Sequence, residues 1–270
     1  MGTHALCVSK EDLIRKLAVM NNRAKLSGGP ENNEMTLAIE MINVTSDDEL
    51  YRYTLHEKSV EDLEGSTAIV YIGKSLIELD MKFELMPRKE EADYCGCEVD
   101  TELFQIIPYT IIMTTDNEGT KYVLSYKRGV KGDESRLHEK WSIGFGGHME
   151  DEPEEQSGYS FVRELNKTAT REIVEETDLY IPETDLQDYF ANNSYLIIED
   201  SEVGRVHLGI CTIVEMPHEV LNRFSMDGSE NISVEEGVVD NLTWCRVHDG
   251  LIFEHNWEAW SKAVLRDDLV

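Results

Sequence analysis

The chain has 270 residues, 41% of them hydrophobic, with 54 acidic side chains against 25 basic ones and a formal net charge of -29. That apolar share excludes a disordered chain and can fill the core of one large domain or two modest ones. The charge repels phosphate backbones at long range and argues against a nonspecific DNA or RNA binder, but a small phosphorylated substrate can still approach through bound divalent cations. No run reaches the roughly 18 apolar residues that cross a bilayer, and the N-terminus has no basic region leading into an apolar run. No membrane association is expected, and the expected location is cytoplasmic. The five cysteines, Cys7, Cys95, Cys97, Cys211 and Cys245, are odd in number and irregularly spaced. They read as free thiols of a reducing compartment rather than a zinc site.

In chain order, SKEDLIRKLAVMNNRAKL (9–26) predicts a helix capped by Ser9, with Leu13, Ile14, Leu17 and Met20 on one apolar face. A turn-rich break, SGGPENN, follows. Residues 35–44, 67–73 and 76–86 have strand character, with a polar acidic stretch at 46–65 between the first two. Residues 1–90 therefore predict a small α+β domain, and 91–270 a second domain of different texture. There FQIIPYTIIMTT (104–115), the turn DNEG and TKYVLSYKRG (120–129) predict a hairpin. WSIGFGGH (141–148) predicts a short buried strand running into paired glycines. Residues 159–177 predict a helix capped by Ser160. Residues 194–200 and 204–216 predict a second hairpin, 238–247 a last strand, and 249–265 a closing amphipathic helix. Strands with helices between and after them imply an α/β (α+β) sandwich.

The segment TREIVEET (170–177) concentrates three glutamates on the predicted helix. Glu172 and Glu176 stand four apart on one face, about 6 Å between Cβ atoms, with Glu175 beside them and Arg171 placed to pair with Glu175. In water such like-charge pairs cost a few tenths of a kcal/mol each, roughly, and acids near a helix C-terminus also oppose the macrodipole. A hard cation such as Mg²⁺ reverses the sign, because it takes carboxylate oxygens directly. A solvated acidic face is the competing reading, since charge runs are usually surface. Gly146 and Gly147 upstream would let the backbone turn and approach a ligand closely.

With GGHME (146–150) followed by Arg171, Glu172, Ile173, Glu175, Glu176 and Leu179, the sequence resembles the Nudix hydrolases, whose signature is G-x5-E-x7-REUxEExGU with U aliphatic. Residues 83 to 270 are also similar to a Nudix subgroup described only as predicted phosphoesterases. The resemblance implies an α/β/α sandwich with a mixed sheet. It implies Mg²⁺ or Mn²⁺ held by Glu172, Glu175 and Glu176, with Arg171 orienting Glu175 or Glu172. The implied reaction is hydrolysis of a pyrophosphate linkage in a nucleoside diphosphate derivative, a small-molecule nucleotide substrate. The protein departs from the signature in three ways. Residues 148–170 make a longer interval between Gly147 and Arg171. Counting back from Arg171 lands the signature glutamate on Arg163, with Glu164 one place on. Asp178 stands where the late glycine falls.

Glu164 is therefore carried as a catalytic candidate with Arg171 and Glu175, and Glu150, Glu154 and Glu155 are alternatives for the same carboxylate. Gly146, Gly147, His148, Arg128 and Arg136 are the substrate-contact candidates. Arg128, Lys131, Arg136 and Lys140 form a basic concentration in an acidic chain, suited to a phosphate. Tyr126 and Trp141 could stack on a base or pack in the core. Glu199, Asp200, Glu202, Glu235 and Glu236 leave the general base open. Two other readings stand beside the hydrolase. One is a Nudix nucleotide-binding or interaction module with weak or no turnover, motivated by the displaced glutamate and absent glycine. The other, an RNA-decapping enzyme, is opposed by the charge. A homodimer is expected by analogy with the family.

Overall fold

The computed structural model describes residues 4–26, 67–72, 76, 81–91, 94–131, 137–154, 157–201, 203–224, 239–266 and 269–270. The predicted strand at 35–44, the stretch at 46–65, and Arg136, Glu155, Glu202, Glu235 and Glu236 lie outside these residues.

Strand β1 (His4–Ser9) opens the chain and runs into helix α1 (Lys10–Leu26). Ser9 caps that helix as predicted, its hydroxyl accepting from the Asp12 amide at 3.4 Å. Leu13 and Leu17 are fully buried, while Ile14 packs at the margin of the core. Strands β2 (Thr67–Tyr71), β3 (Phe83–Pro87), β4 (Leu103–Thr115), β5 (Lys121–Arg128), β6 (Trp141–Ser142) and β7 (Gly144–Phe145) follow. Then come α2 (Gly158–Thr177), α3 (Glu183–Asn192), β8 (Ser194–Glu199), β9 (His207–Met216), β10 (Val239–Arg246) and α4 (Ala259–Arg266).

Among the described residues the strands join one mixed sheet in the order β10-β5-β4-β9-β8-β2. Strand β4 runs parallel to β9, and the other neighbours along that path are antiparallel. Strand β1 pairs with both β3 and β4, and β2 pairs with β8, so strands from either side of residue 90 share the sheet.

The layers follow from the two-residue period of β4. Phe104, Ile106 and Ile112 face one core with Leu165, Ala169 and Ile173 of α2 and Phe190 of α3. Ile107, Tyr109, Ile111 and Met113 face the other, with Trp260, Ala263 and Val264 of α4. The result is an α/β/α sandwich. The DNEG turn forms as predicted, with one Asp116 carboxylate oxygen accepting from the amides of Glu118 and Thr120 at 2.8 Å each.

Four elements differ from the sequence expectations. Strand β1 and helix α3 are additions. Of the strand predicted at 76–86, Phe83–Pro87 forms β3, and residues 77–80 lie outside the described residues. The closing helix predicted at 249–265 is reduced to a 3-10 turn at Leu251–Phe253 and the helix Ala259–Arg266. The cause is long-range pairing. Trp141 and Trp257 form a parallel bridge, with the Trp141 amide donating to Asn256 and the Glu258 amide donating to Trp141, both at 2.9 Å. The buried Glu258 carboxylate then starts α4 by accepting from the Trp260 and Ser261 amides and from the Tyr109 hydroxyl at 2.6 Å.

Candidate active site

Helix α2 begins one turn earlier than its predicted cap. The cap is Ser157, extended at φ -135 and ψ 148, and its hydroxyl accepts from the Ser160 amide at 3.2 Å. Ser160 lies inside the first turn. The predicted apolar face of Phe161, Val162, Leu165, Ala169 and Ile173 is buried, and the helical period carries Glu172 and Glu176 along the flank of that face. Glu176 is 6% exposed.

The helix ends at Asp178, in the left-handed region at φ 54, with its amide closing on the Val174 carbonyl. This is the conformation a glycine adopts without steric cost. Asp178 thus takes a conformation open to glycine at the position where the resemblance expects one.

Strand β7 delivers Gly146 and Gly147 against these carboxylates. The Gly146 amide donates to Glu176 Oε2 at 3.2 Å. A Cβ on Gly147 would stand 2.7 Å from Glu172 Cδ and 2.9 Å from Oε2, and one on Gly146 would run into the Pro108 carbonyl of β4. Neither glycine has a left-handed φ. Close approach, to Glu172 in one case and to the β4 backbone in the other, requires them.

Arg171 lies between two glutamates, 2.7 Å from Glu172 Oε1 and 3.1 Å from Glu175 Oε2. Burial opposes its charge, but Glu172, Glu175 and Glu150 outweigh it and raise its pKa. Glu150, in the loop after the glycines, is thereby placed in electrostatic reach of this group. Glu175 has a half-exposed side chain and turns to Arg171, so the three expected metal carboxylates divide. Glu172 and Glu176 meet the glycine loop, and Glu175 lies about 100° further round the helix from Glu176. Glu164 is buried two turns before Glu172 and is held by Lys167 at 2.8 Å. Its neighbour Arg163 reaches out to Glu154 at 2.5 Å.

Arg128 ends β5 with its guanidinium 5.6 Å from the Tyr126 ring centroid. Among the described residues its buried Nε has no hydrogen-bond partner. Burial opposes this charge too, but Tyr126, Glu258 and Glu176 outweigh it and raise the pKa. Tyr126 itself is core, stacked on Phe145, and Trp141 stacks on His255 at 4.1 Å. His148 turns to His207, with 3.2 Å between their Nε2 atoms. Burial, the His207 ring and the charge of Arg88 hold it well below the usual histidine range, so any contact it makes with phosphate comes from a neutral ring. Among the general-base candidates, Asp200 is paired with Arg205 at 2.7 Å, and burial raises the Glu199 carboxyl. His207 was missed by the sequence reading, since nothing local marks a residue 59 positions from its partner.

Among the described residues no group of three or more His, Cys, Asp and Glu side chains gathers as a metal cluster. The pair Glu172 and Glu176, one turn apart against a glycine loop, nevertheless fits a small hard cation. Mg²⁺ takes one or two protein carboxylates and completes its shell with water and phosphate oxygens.

No protein-family model matches the chain. A curated relative, Protein YmaB of Bacillus subtilis (strain 168), is 39% identical over 121 residues, which is 44% of this chain and 52% of that protein. The match thus spans about half of the relative's length. Solved structures with similarity include Tm1382, described as a candidate Nudix hydrolase, at 20% identity and a TM-score of 0.49 over 98% of both chains. A NUDIX hydrolase from Alicyclobacillus acidocaldarius aligns at 12% identity and a TM-score of 0.38, over 60% of this chain and 90% of that one. A MutT/nudix family protein from Enterococcus faecalis aligns at 14% and 0.35, over 58% and 47%.

Proposed function

We propose that this chain is a Nudix-type hydrolase that cleaves a pyrophosphate linkage in a nucleoside diphosphate derivative, using Mg²⁺ or Mn²⁺. The observation that carries the reading is the contact of the Gly146–Gly147 loop with the Glu172 and Glu176 carboxylates, on the segment bearing the REIVEE sequence. Glu172 and Glu176 are assigned to hold the cation, which when bound neutralises phosphate charge and lowers the pKa of an attacking water. Arg171 restrains Glu172 from outside the pair and ties Glu175 to the same group. The bare glycine backbone lets a phosphate approach the helix flank. Arg128, whose Nε has no partner among the described residues, is assigned to the substrate phosphate, where a guanidinium forms charge-assisted bonds. In the reaction the water oxygen bonds to phosphorus, the bridging P–O bond breaks, and the departing phosphate keeps the electron pair. The chain's contribution is positioning and charge.

The free cysteines favour a reducing compartment. No helix among the described residues is long and apolar enough to cross a membrane. A homodimer belongs to the same proposal. The binding-module alternative loses one of its motives, because Asp178 keeps the left-handed helix end that the glycine would supply.

The test is release of phosphate or monophosphate from nucleoside triphosphates, dinucleotides and nucleotide sugars, with Mg²⁺ and with Mn²⁺, beside Glu176→Gln. Turnover of one substrate class, lost in the variant, supports the hydrolase. Nucleotide binding without turnover across the panel sinks it in favour of the binding module.

A further inference from the structure

The glycine loop is anchored beyond Gly147 by a pair of imidazoles. The Gly146 amide is used on Glu176. Among the described residues Gly147 and His148 make no backbone–backbone hydrogen bond, and pairing resumes at Met149, whose amide reaches Ile106 at 3.5 Å and whose carbonyl accepts from Leu6 at 2.7 Å. In that gap the ring of His148 meets His207, with Nε2 atoms 3.2 Å apart and ring planes inclined at 61°. His207 opens β9, and its Nδ1 lies 2.7 Å from the Val203 carbonyl oxygen.

With both rings neutral, these contacts fix where the protons sit. A carbonyl only accepts, so His207 carries its proton on Nδ1 and, as a neutral ring, has a bare Nε2. The short contact is then a hydrogen bond donated by His148 from Nε2–H, which leaves Nδ1 of His148 as its bare nitrogen.

We propose that His207 is a positioning residue. By accepting from His148 it fixes that ring as the Nε2–H tautomer and holds the Gly146–Gly147 loop against Glu172 and Glu176. The effect on cation binding rests on the reading of those two carboxylates given above, whereas the effect on the loop does not. The clamp joins the segment carrying the glycines to the β8–β9 connection, which is distant in sequence and contributes no carboxylate to the pair.

The experiment uses the full chain and three readouts. Nitrogen-15 NMR of the histidine rings at neutral pH is expected to find a bare Nδ1 in His148 and a bare Nε2 in His207. The opposite tautomers, or double protonation of either ring, overturn the proposal. In His207→Ala, hydrogen exchange at the hydrogen-bonded Gly146 and Met149 amides is expected to quicken about fivefold, the equivalent of one neutral hydrogen bond. The Mn²⁺ dissociation constant, read by electron paramagnetic resonance, is expected to rise by a similar factor. His207→Gln, which keeps an acceptor near the Nε2 position, is expected to restore most of both. Unchanged exchange in His207→Ala, or no rescue by Gln, overturns the clamp. Unaltered Mn²⁺ affinity in a loosened loop overturns its role in positioning the carboxylates. If the wild type binds no Mn²⁺ while the loop still loosens, the cation-site reading falls and the clamp stands.

Discussion

Two adjacent alanine substitutions separate fold from site. A Cβ at Gly147 would collide with Glu172 Oε1 and stand 2.7 Å from its Cδ, against 3.4 Å for the start of ordinary contact, so the carboxylate must retreat by at least about 0.7 Å. Glu172 is a flexible side chain and Gly147 has no left-handed φ, so Gly147→Ala should cost under about 1 kcal/mol of stability, a change of roughly 2–4 °C in Tm. The same retreat exceeds the roughly 0.2 Å tolerance of a metal–ligand distance, so Mn²⁺ affinity should fall by at least about tenfold. At Gly146 the obstacle is backbone. The Cβ would overlap the Pro108 carbonyl oxygen and stand 2.9 Å from its carbon, in the middle of β4. Gly146→Ala should therefore cost about 3 kcal/mol or more. Denaturant unfolding and Mn²⁺ titration of both variants check this. Equal destabilisation by the two substitutions, or full Mn²⁺ affinity in Gly147→Ala, would refute the assignment of Gly147 to the carboxylate.

Three further outcomes follow from α2 and the imidazole pair. Ser157→Ala should lose about 1 kcal/mol in chemical unfolding by removing the N-cap, and an unchanged stability would contradict the observed start of the helix. Asp178→Gly should gain about 0.5–1 kcal/mol, because it relieves a left-handed φ of 54 and removes an acid from a helix C-terminus. Only an exposed pairing with Arg223 at 3.3 Å is lost, and a net loss on unfolding would count against this balance. Finally, His148 has its folded pKa depressed by burial, His207 and Arg88. The unfolded ring takes a proton near pH 6.5 that the folded ring refuses. This contribution is complete above pH 6.5 and is lost as pH falls below it, at a slope of at most about 1.4 kcal/mol per pH unit. Unfolding free energies measured at pH 5 to 7.5 should show a shallower acid slope in His148→Gln than in the wild type, and identical slopes would refute the neutral folded ring.

Helix α2 shows what local sequence can carry. Its apolar period buried Leu165, Ala169 and Ile173, and the same 3.6-residue repeat set Glu172 and Glu176 on one flank without knowledge of the sheet. The Ser9 cap and the DNEG turn were legible for the same reason, since their donors and acceptors lie within four residues of each other. Strand β1 was not legible, because its hydrogen-bond partners are β3 and β4, far along the chain. The closing helix was overpredicted because Trp257 answers to Trp141 rather than to its own neighbours. The loop contact on Glu172, the placement of Arg128 beside Tyr126 and the meeting of His148 with His207 all depend on how β5, β7, α2 and β9 stack. Residue order by itself determined which carboxylates share a helix face, because a helix is a short-range repeat. Only the tertiary structure decided which of them meet the glycines and which ring faces which, because those distances are set by packing between segments tens of residues apart.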